Sequence, residues 1–296
     1  MGRQRTGRSG RQEPAAEPQS GPVAGTYEID TGTCELVPDR FNTNGWVLMI
    51  NGVHSSHIDL SAPKLLEFEY MRWIAALVES EWPPETRLRA LHLGGGACSL
   101  ARAFAATYPK ARQVVVELDG RLAELVRGWF DLPRAPLLRL RVGEAREVTE
   151  SLTDNTRDVI IRDVFAGDRT PVPLTTAEFT AQASRVLDVG GVYVVNCGDG
   201  PQLRTARREA ATIGAAFRYT AAIADPAMLK GRRRGNIILA GSDRPFALSP
   251  GLPRTLLGGG VPAQLWDDAQ VRRFAAGAAV LRDAETAPHS SSGDDG

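Results

Sequence analysis

The chain has 296 residues, of which 43% are hydrophobic, and its 35 basic residues balance its 35 acidic residues. This length and hydrophobic content permit one large domain or two modest ones, and the zero net charge gives no electrostatic case for nucleic-acid binding. No apolar run approaches the roughly 18 residues of a membrane span, and the polar N-terminus shows no secretory signal, so a cytoplasmic protein is expected.

Both ends of the sequence are polar and poor in large apolar side chains. Residues 1–24 are rich in Arg, Gly, Gln, Pro and Ser, and residues 284–296 contain a serine run, so both segments are predicted to be disordered tails. The cysteines Cys34, Cys98 and Cys197 are scattered and lack metal-ligand spacing. Such cysteines are typical of free thiols in a reducing compartment, and no metal is expected.

Residues 25–62 show the alternation of β-strands. Tyr27 and Ile29 alternate with polar residues, and Asn51-Gly52 between two apolar segments is a strong hairpin signal. We therefore predict a small antiparallel N-terminal β-hairpin unit, which must pack on the main domain or pair with a second subunit because isolated hairpins are marginally stable. A connecting helix with a wide apolar face is predicted over residues 63–84.

Residues 88–119 have the order strand, glycine turn, helix, strand, acid. An apolar run leads into Gly94-Gly95-Gly96 and an alanine-rich helix, and a second apolar run ends on Glu117-Leu118-Asp119. Glycines let a ligand approach the backbone, and an acid about 20 residues further on accepts hydrogen bonds from a ribose diol. The pattern favours an adenosine-containing ligand over a purely structural turn. Since no second phosphate-binding loop is present, an S-adenosyl sulfonium compound is favoured over NAD.

Helical and strand periods alternate through the rest of the chain. The alternation predicts an α/β domain over residues 85–283, built on a Rossmann-like, doubly wound, mostly parallel seven-stranded sheet. Gly94, Glu117, Glu144 and Asp163 all follow predicted strands, and ligands bind such sheets beyond the carboxyl ends of the strands. These four positions are the predicted ligand-binding edge.

Several motifs together resemble the spermidine synthase (polyamine aminopropyltransferase) family, which has the class I S-adenosylmethionine-dependent methyltransferase fold. The resemblance covers about Trp46 to Asp243. Its markers are Ile50-Asn51-Gly52, Glu67-Phe68-Glu69-Tyr70, Leu93-Gly94-Gly95-Gly96, Val116-Glu117-Leu118-Asp119, Gly143-Glu144-Ala145 and Asp163.

The resemblance implies a role for each matching residue. S-adenosylmethionine or its decarboxylated form would be the donor, Glu117 would hold its ribose hydroxyls, and Glu144 and Ala145 would lie at its adenine. Asp163 would line the pocket near the sulfonium as a donor-binding and catalytic residue, and Tyr70 would face a small-molecule acceptor. The donor site would also include Gly94, Gly95, Gly96 and Leu118. The N-terminal β unit would help to form a homodimer.

Two positions depart from the family pattern, because Ala97 and Ala166 stand where the family has acids, although Asp168 lies close to the second of them. A pocket that takes a diammonium compound from water must supply carboxylates, and the attacking amine needs a base. Ala97 would also remove a carboxylate that repels the methionine carboxylate of S-adenosylmethionine. Three functions therefore stay open: a spermidine-synthase-like transferase acting on a small amine, a small-molecule methyltransferase, and a non-catalytic nucleoside-binding dimer.

Other polar residues favour structural roles. His54 and His57 lie three apart without an accompanying acid or cysteine cluster, and His92 lies within a predicted buried strand. Asp119 is compatible with a helix cap or with a ligand contact. The run at 232–234 favours a solvated loop over an anion site.

Overall fold

The computed structural model of the protein describes residues 21–167 and 169–283. Apart from residues 21–24, the predicted disordered tails lie outside the described residues. Within these two ranges, the model contains no helix with the length and apolar character that crossing a bilayer requires.

The N-terminal β unit is a four-stranded antiparallel sheet in the described part of the chain. Its strands are β1 (Gly25–Ile29), β2 (Gly32–Pro38), β3 (Gly45–Ile50) and β4 (Val53–Asp59), in the order β1-β2-β3-β4. The predicted hairpin lies between β3 and β4, where Asn51 has φ 50° and Gly52 has φ 78°. A tight hairpin turn requires positive φ at both positions, which explains the Asn-Gly pair.

The main sheet has eight strands among the described residues. They are β5 (Arg89–Leu93), β6 (Arg112–Glu117), β7 (Leu138–Val142), β8 (Arg157–Arg162), β9 (Leu187–Asp199), β10 (Tyr219–Ala224), β11 (Gly235–Ser242) and β12 (Gln264–Trp266). Their order is β12-β10-β11-β9-β8-β5-β6-β7. The strands from β9 to β7 in that order run parallel, whereas β11, β10 and β12 pair antiparallel.

The doubly wound, mostly parallel sheet is confirmed, but the predicted number of seven strands is wrong. The additional strand, β12, spans three residues and pairs with β10 at the sheet edge. A three-residue segment is too short to show strand alternation in a sequence.

Helices cover both faces of this sheet. They are α1 (Glu69–Glu81), α2 (Ser99–Thr107), α3 (Gly120–Trp129), α4 (Ala145–Glu150), α5 (Ala177–Val186), α6 (Arg204–Ala216), α7 (Pro226–Leu229), α8 (Leu252–Leu257) and α9 (Asp268–Ala275), with a 3-10 turn at Val172–Leu174.

The connecting helix α1 begins later than predicted, at Glu69 rather than at residue 63. The guanidinium of Arg72 donates hydrogen bonds to the carbonyl oxygens of Leu66 and Glu67. Because these carbonyls are bound by a side chain, the segment before Glu69 is held outside the helix.

The N-terminal sheet packs directly on the main domain. Buried side chains of the small sheet, including Leu36 and Leu48, form one apolar cluster with Ala97 and with Val126 of α3. Hydrogen bonds join the same two units, because Asp119 at the start of α3 accepts bonds from the N–H and the hydroxyl of Thr31. The small sheet therefore forms one wall beside the start of α2 and α3.

Candidate functional site

The carboxyl edge of the main sheet gathers the residues that the sequence singled out. β5 leads into Gly94, β6 ends at Glu117, β7 is followed by Glu144 after one glycine, and β8 is followed by Asp163. Because the strand order is β8-β5-β6-β7, Asp163 lies on one side of the glycine turn and the two glutamates lie on the other. Ligands of open α/β sheets bind at such an edge.

The glycine turn after β5 requires glycine for steric reasons. Gly94 has φ 90°, and a Cβ there would lie 2.2 Å from the carbonyl oxygen of Asp163. Gly96 has φ 48°, and a Cβ there would lie 2.6 Å from Oγ of Ser56. The glycines thus let the turn fit between two neighbouring segments and leave its backbone accessible.

The carboxylate of Glu117 lies against this turn. Its Oε2 accepts hydrogen bonds from the N–H groups of Gly95 and Gly96 at 3.0 and 3.1 Å, and its Oε1 accepts one from the N–H of Asp119 at 3.1 Å. Three backbone donors therefore fix the orientation of a half-buried carboxylate. A carboxylate so placed at the tip of the second strand is suited to accept hydrogen bonds from a sugar diol.

Asp163 belongs to a second polar group on the other side of the turn. Its Oδ2 accepts a hydrogen bond from the Tyr70 hydroxyl at 3.1 Å, and its Oδ1 accepts one from the side-chain amide of Asn196 at 2.9 Å. Burial raises the pKa of the Asp163 carboxyl, and the two hydrogen bonds oppose that rise. Burial and the nearby Asp163 charge raise the pKa of Tyr70 well above its usual value, so its hydroxyl stays protonated and donates. A carboxylate with a raised pKa is suited to proton transfer near neutral pH.

Asn196 was not predicted as a site residue from the sequence. This residue lies near the carboxyl end of β9, and its side chain is buried beside Asp163. It could have been identified because it is a polar residue that follows the apolar residues of a strand at the predicted ligand-binding edge.

The remaining predicted donor-site residues lie on the Glu117 side. The side chain of Leu118 is 61% exposed and is free to cover a flat apolar group. Glu144 caps α4, because its side chain accepts a hydrogen bond from the N–H of Glu147 at 2.9 Å, and Ala145 is buried behind it. Asp119 is the N-cap of α3, since its Oδ1 accepts a hydrogen bond from the N–H of Leu122 at 2.7 Å.

Ser56 of the N-terminal sheet is a contact that the sequence did not indicate. Its buried hydroxyl accepts a hydrogen bond from the N–H of Ala97 at 3.0 Å, directly after the glycine turn. Nearby, the hydroxyl of Ser99 donates to the carbonyl oxygen of His57. The small sheet therefore supports the turn, and only its fold brings these residues together.

The two positions where the family resemblance fails differ in burial. Ala97 is fully buried in the apolar cluster beneath the N-terminal sheet. Ala166 is exposed, and its N–H donates to the carbonyl oxygen of Arg169. Asp168, which the sequence offers as a replacement acid, lies outside the described residues.

A small pocket with a volume of about 20 Å³, open to solvent, adjoins the glycine turn and Asp163. Its walls include Met71, Leu93 and Cys98. This volume holds about one water molecule, so the pocket by itself is far smaller than a small-molecule site. Burial raises the pKa of the Cys98 thiol to about 12, which keeps it from acting as a thiolate nucleophile at neutral pH.

Two histidines in the described part of the chain, His57 and His92, have structural positions. Nε2 of the buried His57 lies 2.9 Å from Oδ2 of Asp39, and His54 is exposed. Nε2 of His92 lies 2.9 Å from Oε1 of Gln113 inside the core. In residues 21–167 and 169–283, no group of three or more His, Cys, Asp or Glu side chains is arranged to hold a metal ion.

Comparisons with known proteins agree with this architecture. The chain is 53% identical to a probable spermidine synthase from Corynebacterium glutamicum ATCC 13032, whose crystal structure matches 88% of this chain and 97% of that chain with a TM-score of 0.84. A polyamine aminopropyltransferase from Vibrio vulnificus is 30% identical over 135 residues, which are 45% of this chain and 44% of that protein.

A spermidine synthase solved in complex with the transition state analogue AdoDATO shares the fold. It is 16% identical, covers 85% of this chain and 83% of that chain, and has a TM-score of 0.58. The matched segment spans about half the length, or less, of the curated relatives, at 44%, 54% and 23%. No family model matches the chain.

Proposed function

This chain belongs to the spermidine synthase family, and we propose that it transfers a group from an S-adenosyl sulfonium donor to a small amine acceptor. The observation that carries the proposal is the arrangement of two polar groups around one glycine turn. The Glu117 carboxylate is held by Gly95 and Gly96 on one side, and the Asp163 carboxylate is held by Tyr70 on the other. The first group suits a nucleoside sugar and the second suits a reacting amine.

The donor fits along this edge with its adenosine towards β7. Glu117 would accept hydrogen bonds from the ribose hydroxyls, and the exposed side chain of Leu118 would cover one face of the adenine beside Ala145. The sulfonium would then lie near the glycine turn, between Glu117 and Asp163. The solved spermidine synthase complex with AdoDATO is consistent with an adenosyl ligand in this fold.

The reaction needs positioning and one base. The amine nitrogen attacks a carbon bonded to the sulfonium, so an N–C bond forms and the C–S bond breaks. The bonding electron pair stays on sulfur, which becomes a neutral thioether, and the amine proton passes to Asp163. Tyr70 and Asn196 would hold the carboxylate in line, and alignment supplies much of the rate.

The residue at position 97 bears on the choice of donor. The buried methyl group of Ala97 leaves no carboxylate there to meet the ammonium of a decarboxylated donor. That observation favours a second candidate function, methyl transfer from S-adenosylmethionine to a small molecule. In both candidates the adenosine would contact the same residues.

Isothermal calorimetry with S-adenosylmethionine, its decarboxylated form and methylthioadenosine separates the candidates. Preference for the decarboxylated donor supports aminopropyl transfer, and preference for S-adenosylmethionine supports methyl transfer. Binding of these ligands without transfer to any amine or methyl acceptor would leave a nucleoside-binding protein. Failure of all three ligands to bind would refute the proposal.

A Glu117→Ala variant tests the placement of the adenosine. Loss of a hydrogen bond to a charged group costs about 1.5–3 kcal/mol, so methylthioadenosine should bind roughly 10- to 150-fold more weakly. The matched control is Glu124→Ala, which removes an exposed carboxylate of α3 that pairs with Arg121. Equal affinities of the two variants would mean that the nucleoside binds elsewhere.

We also propose a homodimer formed through the N-terminal sheet. The loop between β2 and β3 carries Phe41, whose side chain is 99% exposed. A large exposed aromatic side chain in a surface loop is a candidate contact for a second subunit. Sedimentation equilibrium should give twice the chain mass, and a monomer at micromolar concentration would refute this arrangement.

A further inference from the structure

A basic loop lies between α7 and β11 and contains Lys230, Arg232, Arg233 and Arg234. It lies at the same edge as Asp163, because Gly235 at the start of β11 pairs with Asp199 at the end of β9. β9 is the direct neighbour of β8, which Asp163 follows. The start of β11 is two strand spacings from β8 across the edge, and it lies three residues beyond the level of Asp163 along the strands, because Arg162 pairs with Val195. The backbones at these two positions are therefore roughly 14 Å apart.

Arg233 links this loop to the start of α1. Its Nε lies 2.9 Å from Oδ2 of Asp225, and one of its terminal nitrogens lies 3.9 Å from Oε1 of Glu69. Glu69 immediately precedes Tyr70, whose hydroxyl donates to Asp163. The side chain of Arg233 is still 42% exposed, so a ligand can reach it from solvent.

Four carboxylates at this end of the site, among the residues that the structure describes, already have partners. Asp163 accepts hydrogen bonds from Tyr70 and Asn196. Asp199 accepts hydrogen bonds from the N–H groups of Gly200 and Ala206. Asp225 and Glu69 both face Arg233. A diamine carries two ammonium groups and needs carboxylates in exchange for water. The second ammonium of a diamine would meet paired acids and a guanidinium here.

We propose that the acceptor is a primary amine that also carries a carboxylate, and that Arg233, with Arg232 beside it, binds this carboxylate. The inference rests on the proposed function, because it places the amine at Asp163 and the anionic end at the loop. A guanidinium presents a planar fork of donors that matches a carboxylate. A backbone separation of roughly 14 Å is within the combined reach of a short amino acid and the side chains of Arg233 and Asp163.

The transfer step balances with this acceptor. The amine arrives as an ammonium and gives one proton to the Asp163 carboxylate, and the free amine forms the N–C bond while the C–S bond breaks. The electron pair goes to sulfur, and the carboxylate of the acceptor takes no part in bond making. The product is therefore an N-substituted amino acid and a neutral thioether.

The test compares 4-aminobutanoate with putrescine, which have the same four-carbon chain but carry a carboxylate or a second ammonium at the far end. Calorimetry is performed on the full chain saturated with methylthioadenosine, in the unmodified protein and in Arg233→Gln. The unmodified protein should bind 4-aminobutanoate at least about 10-fold more tightly than putrescine. Arg233→Gln should weaken 4-aminobutanoate by about 10-fold or more and strengthen putrescine, because Asp225 and Glu69 lose their cationic partner.

The control variant is Arg139→Gln, which removes an exposed arginine of the edge strand β7 and should leave both affinities unchanged. The inference is overturned, with donor binding intact, by any of three results. The unmodified protein binds putrescine more tightly than 4-aminobutanoate, it does not bind 4-aminobutanoate, or Arg233→Gln and Arg139→Gln have equal effects. If methylthioadenosine itself fails to bind, the proposed function fails and the inference fails with it.

Discussion

The contact between Tyr70 and Asp163 gives a prediction about the pH dependence of catalysis. The Tyr70 hydroxyl donates to Oδ2 of Asp163 and stabilises the ionised carboxylate, which is the form that accepts a proton. Activity should therefore fall as the pH drops through the pKa of Asp163. In Tyr70→Phe the ionised Asp163 carboxylate loses one hydrogen bond, so the pKa of Asp163 rises. The acidic limb of the pH–activity profile should therefore move to higher pH.

The size of this shift follows from the energy of the contact. A hydrogen bond to a charged group contributes about 1.5 kcal/mol at the low end, which corresponds to about one pH unit. The assay is thioether release at saturating donor, with kcat/KM for the acceptor measured from pH 5 to pH 9. Asn196→Leu removes the other hydrogen bond to Asp163 and should move the limb in the same direction.

The control for this experiment is Tyr27→Phe, which removes a hydroxyl that donates to the carbonyl oxygen of Val23 on the surface of the N-terminal sheet. Its pH profile should match that of the unmodified protein. An acidic limb that stays in place in Tyr70→Phe, or that moves to lower pH, would show that Asp163 is not the group whose ionisation controls the reaction.

Two further predictions concern stability. Burial lowers the pKa of His92 to about 4 from its usual 6.5. Between these two pH values the unfolded chain binds a proton at this residue, whereas the native protein does not. The free energy of unfolding should therefore fall by about 3 kcal/mol as the pH drops from 6.5 to 4. In His92→Gln this part of the pH dependence should be absent in urea unfolding. Glu209 pairs with Arg162 in the core, and Glu209→Gln should destabilise the protein by about 3–5 kcal/mol, measured as a lower urea midpoint.

Each stability prediction has an internal check. A His92→Gln variant that keeps the full loss of stability between pH 6.5 and pH 4 would show that other groups cause it. For the ion pair, the double variant Arg162→Met with Glu209→Leu removes both charges and should recover most of the stability lost in Glu209→Gln. If the double variant is less stable than the single one, the packing of these side chains matters more than their charges.

Local features of the sequence determined most of the secondary-structure elements and the proposed donor side of the site. The Asn51-Gly52 hairpin, the glycine turn after β5 and the acid at the tip of β6 depend on backbone conformations and spacings within short stretches. Backbone φ and ψ preferences and hydrophobic periodicity depend only on residues close together in the sequence, so they can be predicted without knowing the fold. The late start of α1 could not be predicted in this way because it depends on hydrogen bonds from the Arg72 side chain.

Only the tertiary structure decided the proposed acceptor side of the site. Tyr70 and Asn196 lie 93 and 33 residues from Asp163, and Glu69 lies far along the chain from Arg233, yet packing of α1, β9 and the basic loop brings these groups together. No short-range pattern encodes such pairs, because their distances follow from strand order and from how the helices pack. The charge at the proposed acceptor end is therefore a property of the folded chain, whereas the glycine turn at which we propose nucleoside binding is recognisable in the sequence.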